Sequence, residues 1–174
     1  SKYEKRAISD KVATVDLEKC IQCGKCSMLC PHAVIRIKAL TEEQAEQARA
    51  KGIKVVPMKT PELGPNMYFT LNISPADCTG CNICVKNCPT GALSMVPARD
   101  VMAEQQSAFN NALEFPDIDR EKLNLNIPKH VELLPHYFEF PGACAGCGET
   151  PYVRLMAHLF GDRMVVANAT GCSS

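Results

Sequence analysis

Two cysteine runs with identical spacing constrain this chain more than any other feature. They are Cys20, Cys23, Cys26 and Cys30, followed by Pro31, and Cys78, Cys81, Cys84 and Cys88, followed by Pro89. Cysteines only two residues apart are poorly placed to form disulfides with each other, because the bond requires a specific geometry. Disulfide frameworks also belong to secreted chains, whereas residues 1–10 are rich in charge and have no apolar core typical of a signal peptide.

The spacing C-x2-C-x2-C-x3-C-P is typical of bacterial two-cluster ferredoxins, in which the fourth cysteine binds the other cluster. The sequence therefore predicts two 4Fe–4S clusters that exchange one ligand. One is expected on Cys20, Cys23, Cys26 and Cys88, and the other on Cys78, Cys81, Cys84 and Cys30. A zinc-binding scaffold is the weaker alternative, because zinc sites use paired C-x2-C knuckles but not three cysteines in a row followed by C-P.

The composition excludes some partners. Nineteen basic residues balance nineteen acidic ones, so bulk charge gives no argument for binding to nucleic acid or to a membrane surface. No apolar run approaches the roughly 18 residues needed to cross a bilayer. Because exposed clusters are damaged by oxygen, we expect a reducing, cytoplasmic and anaerobic setting. We also expect the first hundred residues to need the clusters in order to fold.

Residues 1–97 are predicted to form an α+β, two-cluster ferredoxin-like domain. In each half a strand would precede the cysteines, and the apolar segment after them would enter a second strand. This duplication predicts antiparallel strand pairs and short helices with pseudo-twofold symmetry. The expected preceding strands are Ala13–Leu17 and Tyr68–Ile73.

An insertion at residues 38–74 separates the two halves. Thr41 and the following acidic residues have the form of a capping box, so a helix should begin there and end at Gly52. A short strand, Ile53–Met58, should follow. The insertion contains no cysteine or histidine, and we expect it to be a packing surface against another domain.

Residues 98–141 are predicted to be a proline-rich linker that begins with a helix over Ala98–Leu113. Its histidines, His130 and His136, have no second ligand at helical spacing, which favours a passive role over metal binding. The same holds for His32 and His158.

Residues 142–174 carry a second kind of cysteine motif, formed by Cys144, Cys147 and Cys172. Thr150 could cap a helix that has Pro151 at its first position and ends at Gly161. Residues 164–169 then resemble a buried strand. On their chemistry alone, Cys144 and Cys147 could form a redox pair, a zinc knuckle or half of a cluster site, and a lone Cys172 could be a structural thiol. Together they favour a third cluster with one ligand missing.

The chain resembles pyruvate:ferredoxin (flavodoxin) oxidoreductases over nearly its whole length. The resemblance is carried by both cysteine runs, by the segment GACAGCGETPY at residues 142–152, and by ANATGCSS at residues 167–174. It implies that residues 142–174 are the incomplete N-terminal part of a thiamine-diphosphate-binding α/β domain, beginning with a helix–strand unit.

The resemblance also implies a chemistry. Thiamine diphosphate, held through Mg, would act on pyruvate in the presence of coenzyme A, and ferredoxin or flavodoxin would receive the electrons. By similarity, Cys144, Cys147 and Cys172 would bind a cluster near the thiamine, while Glu149 and the Cys172 turn would contact the cofactor. A homodimer is expected on the same ground.

The departures from the family matter equally. A fourth ligand for the third cluster is missing, as are a Gly-Asp-Gly segment for the diphosphate and the regions that bind substrate. We therefore expect this chain to be part of a longer protein and not to decarboxylate pyruvate alone. The alternative is an independent two-cluster electron carrier with a C-terminal extension.

Overall fold

The computed structural model describes residues 3–59 and 63–169, which fold into short helices and two small sheets. The elements in chain order are β1 (Lys11–Val15), α1 (Lys25–Leu29), β2 (Ile35–Leu40), α2 (Glu42–Ala50), β3 (Val56–Pro57), β4 (Tyr68–Ile73), α3 (Ile83–Lys86), β5 (Leu93–Pro97), α4 (Ala98–Leu113), α5 (Pro128–Val131) and α6 (Thr150–Phe160). A single 3₁₀ turn, Arg120–Lys122, lies between α4 and α5. No helix within these described ranges is long and apolar enough to span a bilayer.

The strand pairing joins the two halves of the repeat. β1, before the first cysteine run, pairs antiparallel with β5, after the second, with Val15 opposite Leu93. β2, after the first run, pairs antiparallel with β4, before the second, with Ile35 opposite Ile73. Neither half therefore completes a sheet by itself. The predicted antiparallel pairs are present, and β4 has the predicted bounds, whereas β1 begins and ends two residues earlier than expected.

The backbone repeats along with the cysteines. Six residues with positive φ, between 54° and 73°, occur at three pairs of positions that are each 58 residues apart. These pairs are Gln22 and Gly80, Gly24 and Asn82, and Ala33 and Gly91. The left-handed region is normally reserved for glycine and asparagine. Its use at matching sites shows that both cysteine loops follow the same path.

The insertion begins as predicted but contains less strand than expected. Thr41 caps α2, and a full capping box with Gln44 is present. In place of a strand over residues 53–58, only β3 forms, because Ile53 turns into the apolar core and Pro57 has no N–H to extend a ladder. The insertion packs against the linker helix within this chain, through Leu40, Ala48, Ile53, Ala112 and Phe115.

The C-terminal part differs from the sequence-based expectation in two ways. The helix α6 ends before Gly161 as predicted, but Thr150 is its first residue and makes no capping hydrogen bond; the N-cap position belongs to Glu149. The predicted strand over residues 164–169 is wrong. This segment is irregular and exposed, with Val165 93% and Val166 68% accessible, because no neighbouring strand in the described residues is available to pair with it.

Gly80 should be essential to the packing of the N-terminal segment. A Cβ built there would lie 2.1 Å from Ser9 Oγ and 2.9 Å from the Lys11 carbonyl oxygen, in addition to the strain of φ +67°. Gly91 has a similar φ of +63°, but nothing lies within 4 Å of its Cβ position. We expect Gly91→Ala to destabilise by about 1–2 kcal/mol through backbone strain alone. Gly80→Ala should add roughly 1–3 kcal/mol for the clash.

The measurement is the thermal midpoint of the anaerobically purified chain, followed by far-ultraviolet circular dichroism. About 1 kcal/mol corresponds to a shift of roughly 2–4 °C for a chain of this size. Equal shifts for the two variants would show that the N-terminal segment does not pack against Gly80.

Candidate iron–sulfur centres

One cavity brings together four cysteines from both halves of the repeat. It is lined by Cys20, Cys23, Cys26 and Cys88. Its remaining walls are mainly apolar and include Phe69 and Leu71 from the central strand β4. Cys23 is exposed, and Ile21 beside it is 48% accessible, so this cavity lies close to the protein surface.

A second cavity brings together the other four. It is lined by Cys30, Cys78, Cys81 and Cys84. Cys30, Cys78 and Cys84 are buried, which places this site deeper than the first. The two cavities enclose similar empty volumes, about 390 and 370 Å³ including solvent at the mouth.

The short helices explain why each run contributes to both cavities. α1 carries Cys26 in its first turn, and Cys30 follows directly at its C-cap, where the Cys30 N–H donates to the Ser27 carbonyl at 3.1 Å. Four residues of helix rise about 6 Å. The third and fourth cysteines of a run therefore lie at opposite ends of one helix and reach different cavities. α3 carries Cys84 in the same way, and Cys88 follows one residue after its C-cap, Asn87.

The side chains fit clusters that bind thiolates. Burial raises the pKa of Cys26, Cys30 and Cys78, and it raises the pKa of Cys84 to about 12. Cysteine binds metal as the thiolate, so a cluster bound in these cavities would displace the thiol protons. Backbone N–H groups also point at sulfur, as from Gln22 to Cys20 Sγ at 3.3 Å. Such bonds tune cluster potentials.

Each cavity brings together four cysteines, the number of thiolates that one 4Fe–4S cluster binds. Among the residues that the structure describes, no group of three or more His, Cys, Asp or Glu side chains is placed to hold a metal ion.

The third cysteine motif lies against the second cavity. Cys144 and Cys147 sit in a turn closed by a 3.0 Å bond from the Cys147 N–H to the Cys144 carbonyl. Gly146, between them, approaches Cys81 and Ile83, whose side-chain atoms lie 3.6 Å from its Cβ position. The N–H groups of Thr150 and Glu149, at the start of α6, lower the pKa of Cys147. Cys172, the third predicted ligand, lies outside the described residues.

Comparison with known proteins agrees with this geometry. The model of the 4Fe–4S dicluster domain matches residues 19–92. The whole chain is 42% identical to the pyruvate-flavodoxin oxidoreductase of Nostoc sp. and 42% identical to that of Rhodospirillum rubrum. It is 43% identical to the pyruvate:ferredoxin oxidoreductase of Moorella thermoacetica. In each case it spans 15% of the relative's length.

The chain is homologous to one segment of these oxidoreductases. The resemblance noted from the sequence is therefore confirmed, and it extends from the dicluster domain through the linker into α6. The relatives are enzymes, and this chain corresponds to the part of them that carries the dicluster domain.

The chain also contains a buried polar network that sequence reasoning missed. Glu132, directly after α5, accepts from Arg154 Nη1 at 2.8 Å, and Ser27 Oγ lies 2.6 Å from the same carboxylate oxygen. Arg154 Nη2 donates to the carbonyls of Ser27 and Met28, both at 2.6 Å. The network joins α1, α5 and α6. No local pattern indicates it, because Glu132 and Arg154 are 22 residues apart and Ser27 lies more than 100 residues from both.

The four histidines make contacts in the structure that the sequence did not predict. His158 Nε2 and His136 Nδ1 lie 3.0 Å apart, with the rings edge to face. Burial lowers the pKa of both, which keeps the pair uncharged at neutral pH. His32 Nδ1 lies 3.1 Å from the Pro141 carbonyl, and His130 Nδ1 accepts from the Asn124 N–H at 3.0 Å. Within the described residues, none of the four lies in a group suited to a metal ion.

The exchange of ligands can be tested with double variants. Cys23 and Cys88 come from different runs but line the same cavity, whereas Cys23 and Cys30 come from one run and line different cavities. If the cavities hold the cubes, Cys23→Ala/Cys88→Ala should damage one cluster and leave about four irons of about eight. Cys23→Ala/Cys30→Ala should damage both.

Iron and acid-labile sulfide per chain, measured on protein purified without oxygen, distinguish the two outcomes. The EPR spectrum after reduction by dithionite should show one isolated cube in the first variant. The opposite pattern, with the same-run variant keeping one cube, would mean that each run binds its own cluster.

Proposed function

We propose that this chain is the electron-relay segment of a pyruvate:ferredoxin (flavodoxin) oxidoreductase. It would pass electrons from a thiamine-diphosphate site through 4Fe–4S clusters to an external low-potential carrier. The observation that carries the proposal is the pair of adjoining cavities, each lined by four cysteines from both halves of the repeat. Homology to the oxidoreductases over the whole chain supplies the context.

The arrangement of the cysteines supports a direction for the electrons. The turn with Cys144 and Cys147 contacts Cys81 of the deeper cavity, so a cluster on that turn would deliver electrons there first. Helices α1 and α3, which separate the two cavities, also contact each other. The shallow cavity, with Cys23 and Ile21 at the surface, would then be the exit.

The proposal for the inner end of the relay is based on similarity to the oxidoreductases and on the position of α6. Cys144, Cys147 and Cys172 would bind the third cluster, and Glu149 with the Cys172 turn would contact thiamine diphosphate. Bound with Mg in the complete enzyme, that cofactor supplies a stabilised carbanion for pyruvate oxidation, and coenzyme A takes the acetyl group. The chain's own contribution is to hold the Cys144–Cys147 turn beside the deeper cavity, through α6.

The outer end would meet the carrier, ferredoxin or flavodoxin. Cys23 and Ile21 offer a small apolar contact at the exit, and Lys25 lines the same cavity. A solvated surface explains Lys19 equally well, since it pairs with Asp16 at 3.0 Å. Buried thiols of this number suit the reducing cytoplasm, where we place the enzyme, as a homodimer by similarity.

An independent two-cluster carrier is the second candidate, because both four-cysteine sets lie within this chain. The two candidates differ in what the third motif does. A free carrier has no use for Cys144 and Cys147 against the deeper cavity. In an oxidoreductase, a cluster there is the entry to the relay.

The first experiment is the iron and sulfide content of the anaerobically purified chain, with EPR after dithionite reduction. About eight irons per chain, with two interacting cubes, are expected from the two complete sites. About twelve would mean that the third motif also assembles a cube with an outside ligand. Zinc without iron would contradict the proposal.

A second experiment tests the direction in the full-length protein that carries this segment. Cys23→Ala/Cys88→Ala should abolish the reduction of flavodoxin or ferredoxin, because the exit cluster is lost. The deeper cluster should still be reduced when pyruvate and coenzyme A are added, as followed by EPR. Failure of pyruvate to reduce any cluster in the unaltered protein would overturn the oxidoreductase proposal itself.

A further inference from the structure

The buried pair of Arg154 and Glu132 needs an explanation other than stability. Both side chains are 1% accessible, and the guanidinium and carboxylate approach to 2.8 Å. Burying two charges has a desolvation penalty that can exceed their mutual attraction, and apolar residues of similar size often stabilise as much or more. A pair retained at such a place is a candidate for another role.

The guanidinium bonds to the stretch of chain that joins the two cavities. Its Nη2 donates to the carbonyls of Ser27 and Met28, which lie between Cys26 of the shallow cavity and Cys30 of the deeper one. The Ser27 carbonyl accepts at the same time from the Cys30 N–H. The Arg154 guanidinium thus lies at the C-terminal end of α1. The Ser27 carbonyl links it to the N–H of Cys30, a cysteine of the deeper cavity.

Several titratable groups lie around Arg154 and determine how far its positive charge is compensated. His136 and His158 are held neutral by burial, so they add no charge. Arg36, also buried, pairs with Glu139 at 2.9 Å and donates to the Ala33 carbonyl. Glu132 is the counter-charge of Arg154, and its carboxylate also contacts Ser27 Oγ.

We propose that Arg154 is a positioning residue of the electron relay, which holds the Ser27–Met28 turn between the two cluster sites and favours the reduced clusters through its buried charge. Glu132, as the counter-charge, determines how much of the positive charge acts on the clusters. This inference rests on the proposed function, since it requires the clusters to be bound. It assigns to α6 a part in setting the potentials of clusters whose ligands all lie outside it.

The sign follows from elementary electrostatics. A cluster gains one negative charge on reduction, so a nearby cation stabilises the reduced form and raises the reduction potential, and an anion lowers it. At an effective dielectric constant near 20, one charge about 12 Å from a cluster is worth roughly a tenfold change in the ratio of reduced to oxidised cluster, and a closer charge is worth more. For a one-electron couple, tenfold is about 59 mV.

The test compares Glu132→Gln with the double variant Glu132→Gln/Arg154→Gln in the anaerobically purified full chain. Glutamine keeps the size of Glu132 and one acceptor oxygen but removes the anion. The reduction potential should therefore rise, with a change on the order of tenfold in the ratio of reduced to oxidised cluster. In the Glu132→Gln background, removal of the Arg154 cation should lower the reduction potential by a comparable amount. Potentials are read from EPR-monitored redox titrations, with iron content as the check on cluster assembly.

Lys38→Gln is the matched control. Lys38 is another buried cation in an ion pair, 2.8 Å from Asp117, but it bonds to the Phe115 carbonyl instead of the cysteine turn. Its loss should leave both potentials unchanged. Should the double variant lose iron, Glu132→Gln/Arg154→Lys provides the second comparison, because it keeps the charge and should keep the potential of Glu132→Gln.

The possible results separate the inference from the function on which it rests. Equal potentials in Glu132→Gln and the double variant, with iron retained in both, would overturn the role of Arg154 while leaving the relay intact. A potential in the Arg154→Lys double variant well below that of Glu132→Gln would also overturn it. Absence of clusters in the unaltered chain would instead overturn the proposed function.

Discussion

The fold depends on the four-residue step between the third and fourth cysteine of each run. α1 and α3 fill that step, so one run cannot direct all four of its thiols into the same cavity. Each half must borrow a cysteine from the other, and the strands are paired in the same reciprocal way. The sheets, the helices and the cavities are thus consequences of a single local constraint that is applied twice.

The segments that flank the cysteine repeat are held to it by specific polar contacts. Near the N-terminus, Lys5 pairs with Asp77 at 2.5 Å, one residue before Cys78. Near the C-terminus, Arg154 reaches the carbonyls within α1. Both contacts end beside cysteines, so the surrounding segments are fastened to the cluster sites and not merely appended to them.

Much of this organisation could be predicted from local sequence signals. The cysteine spacing indicated which thiols share a cavity, the capping box marked the start of α2, and the bounds of β4 and α4 followed from periodicity and flanking prolines. The strand expected at residues 164–169 did not form, because a strand needs a partner and periodicity cannot supply one. The Thr150 cap failed because the helix begins one residue earlier than a side-chain cap at Thr150 would require.

The polar core was beyond the reach of sequence reasoning for a different reason. Glu132 and Arg154 look like ordinary surface charges on short amphipathic segments, and only the packing of α5 and α6 on α1 removes them from water. The contact of Gly146 with Cys81 is likewise a product of tertiary structure. The residues of each contact lie in separate segments of the chain, and the sequence pattern of one segment does not predict its contact with the other.

The matched positions Gln22 and Gly80 show how a duplicated loop can be put to two uses. Both adopt the left-handed conformation, but a Cβ at Gly80 would clash with the N-terminal segment, whereas Gln22 carries a side chain that is buried. The Gln22 amide donates to the Pro57 carbonyl at 2.9 Å and accepts from the Lys59 N–H at 2.8 Å. The first cysteine loop thereby fastens the inserted segment to a cluster site, while the matching position of the second loop is filled by the chain that packs against it.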